Sequence, residues 1–313
     1  MRVFDAHEDI WTHVAQKMAK GESDIFRKYH LADHLKGHVR GGIFVIWIES
    51  SHAVAPQKRL EAIVECVKEE MRVSNDILTV AHNAKEYHQA IENGKIGVIY
   101  GLEGLSYIES DLGLLEWLYE QGARHASLTW NEENALATGA KGTSTRGLTT
   151  LGKEAVKKME KLKMLLDVSH LNEKTFWDVA KIQTLPMMAS HSNARALCDH
   201  PRNLTDDQLK LIRDLGGVVG INSYPGFVSD KGDLASLVNH TEYLVEKIGI
   251  DHVGCGFDFC DYLKEDGVGD VLKNLEDTSK VPNLFSILRE KGYEHDALEK
   301  IAHKNFERLL EIL

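Results

Sequence analysis

Short apolar, β-branched runs recur along the chain, separated by amphipathic stretches. The runs are Arg2–Asp9, Gly42–Ile48, Ile96–Glu103, His125–Trp130, Met164–His170, Met187–His191, Val218–Ser223 and His252–Asp258. Each is nearly continuous in hydrophobicity, as in strands covered on both faces. Between them, Gln57–Ile77, Leu112–Gln121, Leu151–Leu162, Glu173–Ile182, Asp206–Leu215 and Leu234–Ile248 carry a helical pattern. Asn172, Thr205 and Asp233 stand where N-caps belong, and Gly122 and Gly216 where helices should end. Strands alternating with helices predict parallel pairing. Eight of them fit a closed (β/α)₈ TIM barrel, a fold that typically takes about 250 residues or more. An open doubly wound sheet is the alternative, but no G-x-G-x-x-G opens a helix after the first strand.

The barrel demands that chemistry sit where strands end, at the C-terminal face. Several runs end in residues of catalytic type. The first ends in His7 and Asp9, the third in Glu103, the fifth in His170, the sixth in His191 and the eighth in Asp258. Strict strand alternation would put Asp5, His7 and Asp9 on one face, and Ala6 and Glu8 on the other. A His and an Asp on one face can bind zinc or its neighbours. A lone H-x-D fits a polar surface pair equally well, and strand ends often cap a neighbouring helix. Joint occurrence on five strands is hard to credit to capping alone. His7, Asp9, Glu103, His170 and His191 make a two-metal set. One ion would take His7 and Asp9, the other His170 and His191, and Glu103 could bridge them. Two ions roughly 3.5–4 Å apart can share a water and lower its pKa to about 7.

Composition narrows the partners. The chain has 313 residues, 43% hydrophobic and 27% charged, which is ample for a large core and one domain over 1–313. A net charge of −11 and a pI near 5.8 argue against nucleic acid and anionic membranes. No stretch reads as a secretory signal or a membrane span. The four cysteines, Cys66, Cys198, Cys255 and Cys260, show no C-x-x-C spacing and read as reduced thiols of a cytoplasmic protein. Cys255 and Cys260 flank Asp258, though packing explains them as well.

These motifs together resemble the membrane (renal) dipeptidase family of zinc dipeptidases, within the amidohydrolase-like barrels. The match runs nearly end to end. It includes Asp5-Ala-His-Glu-Asp9, Tyr100-Gly-Leu-Glu-Gly104, Leu166-Asp-Val-Ser-His170, Ser190-His-Ser192, His200-Pro-Arg-Asn203, Gly254-Cys-Gly-Phe-Asp258 and Asn305-Phe306. The resemblance implies two zinc ions per chain, with Glu103 bridging. It implies that Arg202 holds the C-terminal carboxylate of a dipeptide and that Asp258 handles protons. Without the family, Arg202 reads equally as a surface residue in a turn, and Asp258 as a further ligand or a strand-end cap. Family members often accept a C-terminal D-residue, and they are often dimers, so a homodimer is expected.

One position departs from the family. A substrate-contacting His commonly follows the fourth strand, but here Leu128-Thr-Trp-Asn-Glu-Glu-Asn134 puts Trp130 in its place. An indole N–H donates a hydrogen bond but carries no charge. Oxyanion stabilisation would then fall to Trp130, to Asn131 or to the metals, and Trp130 also fits a pocket wall. Two other readings compete with a dipeptidase. One is a related metal amidohydrolase acting on N-acyl amino acids or cyclic amides. The other is a non-catalytic homologue that only binds carboxylates.

Overall fold

The computed structural model describes residues 1–264 and 269–313. Eight parallel strands form its sheet: β1 Val3–Glu8, β2 Val39–Trp47, β3 Leu78–Val80, β4 Ile96–Glu103, β5 Ala123–Ser127, β6 Leu165–Asp167, β7 Val219–Ile221 and β8 Val253–Cys255. Their order is β6-β5-β4-β2-β1-β8-β7, with β3 added against the start of β4. The two ends of this path meet through residues 187–191. Asp167 bridges to Met188 and Ala189 bridges to Val219, both parallel. That segment is the eighth stave of the barrel, and β3 stands outside the ring.

Two glycines let the closing segment press inward. A Cβ on Gly220 would lie 1.9 Å from Ser190 O, and one on Gly256 only 1.6 Å from it. No other residue fits either place without moving the backbone that carries His191. Inside the barrel, Phe4, Ala6, Ile43, Val45, Ile99, Leu165 and Met188 pack together. Val98, Leu102, Phe44 and Ile46 point outward to the helices. The pattern follows the two-residue period of each strand.

Strand β1 breaks that period and corrects the expected faces. Asp5 pairs with Gly42 and Glu8 with Phe44, so three steps on β1 match two on β2. The extra residue is a bulge. As a result Asp5 does not share a face with His7. Its Oδ1 accepts the backbone N–H groups of Phe257 and His7 instead. Asp9 lies beyond the strand, at the N-cap position of helix Ile10–Ala19. The bulge is what aims His7 inward while Glu8 turns outward to His34, 2.8 Å away.

The helices form where the polar pattern put them, and the three expected caps are made. Asn172, Thr205 and Asp233 accept from Thr175, Gln208 and Ser236 N–H groups, and Thr205 completes a capping box with Gln208. Gly122 and Gly216 adopt positive φ just past two helix ends. Helices Ile10–Ala19, Ala84–Glu92 and Val281–Glu290 were not expected from the pattern. The first follows β1 with no loop, which hides its start. Among the described residues, no helix is long and apolar enough to cross a membrane.

The C-terminal end closes the floor of the barrel. Glu307 takes a bidentate bond from Arg2 at 3.0 and 2.8 Å, one from Tyr87 at 3.1 Å and one from His303 at 3.0 Å. Burial alone would raise its pKa, yet His303 and Arg2 hold it down to about 2, from a usual 4.5. A depressed carboxyl stabilises the fold fully above its unfolded pKa, and the effect is lost as pH falls through the folded value. The cluster is expected to contribute about 2–3 kcal/mol at neutral pH, lost between about pH 4.5 and 2. Glu307→Gln should lower Tm at pH 7 and flatten its fall in acid. An unchanged acid limb would remove this role.

Candidate active site

The site sits at the C-terminal mouth of the barrel. Three buried imidazoles converge on one carboxylate oxygen. Glu103 Oε1 lies 3.4 Å from His7 Nε2, 2.9 Å from His170 Nε2 and 3.5 Å from His191 Nε2. None of these three Nε2 atoms has a hydrogen-bond partner. Asp9 Oδ2 and Asp258 Oδ1 approach His7 Nε2 at 3.8 and 3.9 Å. All nine residues singled out in the sequence therefore lie in one place. His7, Asp9, Glu103, His170, His191 and Asp258 form its floor, and Arg202, Trp130 and Asn131 line the cavity above.

Electrostatics make this floor a receptor for cations. Burial pushes the His7 imidazolium down to about 3, and pushes His170 and His191 well below their usual value. Each imidazole is thus neutral and ready to donate a lone pair. Burial, together with the Asp9 and Asp258 carboxylates, pushes Glu103 well up. Three carboxylates crowded in a largely buried pocket repel one another unless positive charge lies between them. Orphaned nitrogens facing crowded carboxylates fit divalent ions, and the N/O donor set suits zinc. Two groupings are close enough to chelate: His7, Asp9 and Asp258, and Glu103, His170 and His191. His7, Asp167 and His191 also cluster. Asp167, however, is already saturated by Ser169 N, Ser190 N, Ser190 Oγ and His125 Nε2.

The His170 and His191 rings are held from behind. His191 Nδ1 meets Ser190 Oγ at 2.6 Å, and Ser190 Oγ donates to Asp167 Oδ2 at 2.5 Å. His170 Nδ1 meets Asn131 Oδ1 at 3.0 Å. Such partners fix the tautomer and aim the other ring nitrogen inward. Two site residues also adopt the left-handed region, His170 at φ 70° and Asp258 at φ 57°. Side chains rarely adopt it without tertiary support, and here it turns both functional groups into the pocket. Asp258 is pushed up to about 6 by burial, with Arg202 and Asn222 opposing. Its Oδ2 accepts from Asn222 Nδ2 at 3.0 Å.

Above the floor opens a cavity of about 310 Å³. Arg202 is buried in its wall, donates from Nη2 to His191 O at 3.3 Å, and keeps a buried Nε without a partner. Burial lowers its pKa to about 10, so it stays charged. The Trp130 ring lies 5.4 Å from Trp47 and 6.1 Å from His170. Sequence reasoning gave no role to Asp167, Ser190, Asn222, Trp47, Lys141 or His200. Only the adjacent Asp167-Val-Ser-His170 and Ser190-His191 pairs gave a hint, since a polar residue beside a ligand often orients it.

The whole chain, residues 1–313, matches the family described as membrane dipeptidase, Peptidase family M19. Dipeptidase aclJ of Aspergillus oryzae is 30% identical over 329 residues, covering 98% of this chain and 76% of that protein. A crystal structure of dipeptidase AC, a metallopeptidase of family M19, superposes with a TM-score of 0.90 at 28% identity, covering 99% of this chain and 98% of that one. A metallopeptidase from Rhodobacter sphaeroides, liganded with a phosphinate mimic of L-Ala-D-Ala, also gives 0.90, at 27% identity and 99% coverage of both chains.

Proposed function

The chain belongs to the membrane dipeptidase family of metallopeptidases, and from that premise we propose that it hydrolyses free dipeptides at a two-zinc site. The observation that carries the two-metal reading is the convergence of three unpartnered imidazole nitrogens on Glu103 Oε1. His7 and Asp9 would hold one ion, His170 and His191 the other, with Glu103 between. When bound, the pair supplies a polarised carbonyl and a water acidic enough to give hydroxide at neutral pH.

The chain's own residues do the rest. Arg202 presents a buried, charged guanidinium with an open donor, which suits the terminal carboxylate of the substrate. Asp258, beside His7 and steadied by Asn222, takes a proton from the attacking water and delivers it to the leaving amine. Asn131 holds the His170 ring, and Trp130 forms the wall where the acyl part of the substrate would lie. A C-terminal D-residue is supported by the ligand of the Rhodobacter sphaeroides protein. Residues 1–313 act as one catalytic domain in this reading. The four free cysteines support a cytoplasmic location and the acidic surface speaks against nucleic acid, while a homodimer follows the family habit.

The test is turnover of a dipeptide panel by metal-loaded and chelator-treated protein, with each dipeptide's C-terminal amide as control. Losing a charge-assisted bond to Arg202 costs roughly 2–4 kcal/mol, so amides should fall about 30- to 1000-fold in kcat/KM. Equal turnover of dipeptide and amide would remove Arg202 from carboxylate recognition.

A further inference from the structure

Lys141 is the cation in this cavity that the mechanism leaves unused. It lines the mouth beside Trp130 and His200, with Nζ 6.0 Å from the centre of the Trp130 ring. Among the described residues it forms no ion pair. The two nearest acids in sequence are otherwise engaged. Glu133 bonds Thr143 N and lies 3.5 Å from Arg146, and Glu132 accepts from Asn134.

Its backbone is not that of an ordinary surface lysine. Lys141 N donates to Asn131 O at 3.0 Å, and Ala140 N donates to His170 O at 2.8 Å. Gly139 is clamped against Leu171 by a bridge, and a Cβ there would lie 2.3 Å from Trp130 O. The segment is pinned to the metal floor on one side and to the cavity wall on the other. The position of its charge follows. Lys141 shares the lining of one cavity with His170 and His200. His170 belongs to the floor where the scissile bond would lie. His200 belongs to the Arg202 loop, with its Nδ1 3.1 Å from Arg202 N. Between the scissile carbonyl and the terminal carboxylate of a dipeptide there are only the amide nitrogen and the Cα of its C-terminal residue, with its side chain.

We propose that Lys141 reads that side chain and selects an acidic one, so that the preferred substrates are dipeptides ending in Asp or Glu. The inference rests on the dipeptidase reading and extends it. Arg202 takes the terminal carboxylate, the floor carboxylates are matched to metal ions, and Lys141 is left to meet a second substrate anion. Lys141 is exposed at the mouth, so the pairing is solvated and selectivity is modest, about tenfold.

The test compares kcat/KM for Ala-Glu, Ala-Gln and Ala-Lys, with the C-terminal residue in each configuration. The metal-loaded enzyme, Lys141→Met and Lys141→Glu are measured side by side. The enzyme is expected to favour Ala-Glu over Ala-Gln about tenfold in the accepted configuration. Lys141→Met should bring that ratio near one, and Lys141→Glu should favour Ala-Lys over Ala-Gln. Equal turnover of Ala-Glu and Ala-Gln by the enzyme would overturn the inference while leaving a working dipeptidase. So would ratios that stay unchanged in both variants. A variant that instead loses discrimination between dipeptide and amide would assign Lys141 to the terminal carboxylate and overturn the side-chain role. Absence of any dipeptide turnover would bring down the inference together with the reading beneath it.

Discussion

Glu103→Gln is expected to lower kcat/KM by about a thousandfold or more and to strip metal from the site, while Glu8→Gln leaves turnover of the folded protein within a few fold. The contrast comes from geometry. Glu103 Oε1 is the meeting point of three imidazole nitrogens at 2.9–3.5 Å. Gln keeps the shape but removes the negative charge that two cations would share, and half of its amide head is a donor facing cations. Several kcal/mol of lost charge stabilisation is about three decades in rate. Glu8 is only one residue from both His7 and Asp9, yet its carboxylate lies 2.8 Å from His34 Nε2 outside the barrel. Metal content and steady-state kinetics on both variants check this. Comparable losses in the two would place Glu8 in the site and undo the assignment of Glu103.

The second large effect belongs to Asp258. Asp258→Asn should retain metal and lose about 10²–10⁴ in kcat, the usual share of general acid–base assistance. Amines leave poorly unless protonated, and Asn cannot carry the proton. The loss should appear equally in kcat and kcat/KM, since the interaction is made in the transition state. The Asn222 contact and the left-handed backbone hold this side chain in place, and Asn tolerates that backbone well, so the variant keeps the geometry. The competing role is as a ligand, because Asp258 lies within chelating reach of His7 and Asp9. Loss of an ion from the variant would establish that role instead, and near-normal turnover with metal retained would leave the proton step without a carrier.

Much of this site was legible because the barrel maps strand ends to one face. A residue closing an apolar run had to point at the mouth or beside it, and the side chains that gather around Glu103 were found that way. The sixth run, Met187–His191, was read as a strand. It pairs through isolated parallel bridges to Asp167 and Val219, and Gly220 and Gly256 let it press close to its neighbours. The bulge in β1 was illegible, since nothing in Asp5-Ala-His-Glu-Asp9 marks an extra residue, and alternation misplaced Asp5. Strand β3 is three residues against one edge of β4, too short for a period to show. Asp167, Asn222 and Lys141 escaped for a different reason. Their roles come from contacts 23 to 42 residues away in sequence, or from backbone pinning, which no local pattern encodes.

The account stands most directly on the number of ions. Protein purified without chelator should carry two divalent ions per chain by elemental analysis, and activity should rise with occupancy of both. Fully active protein holding one ion or none would contradict the shared role of Glu103 on which the mechanism depends.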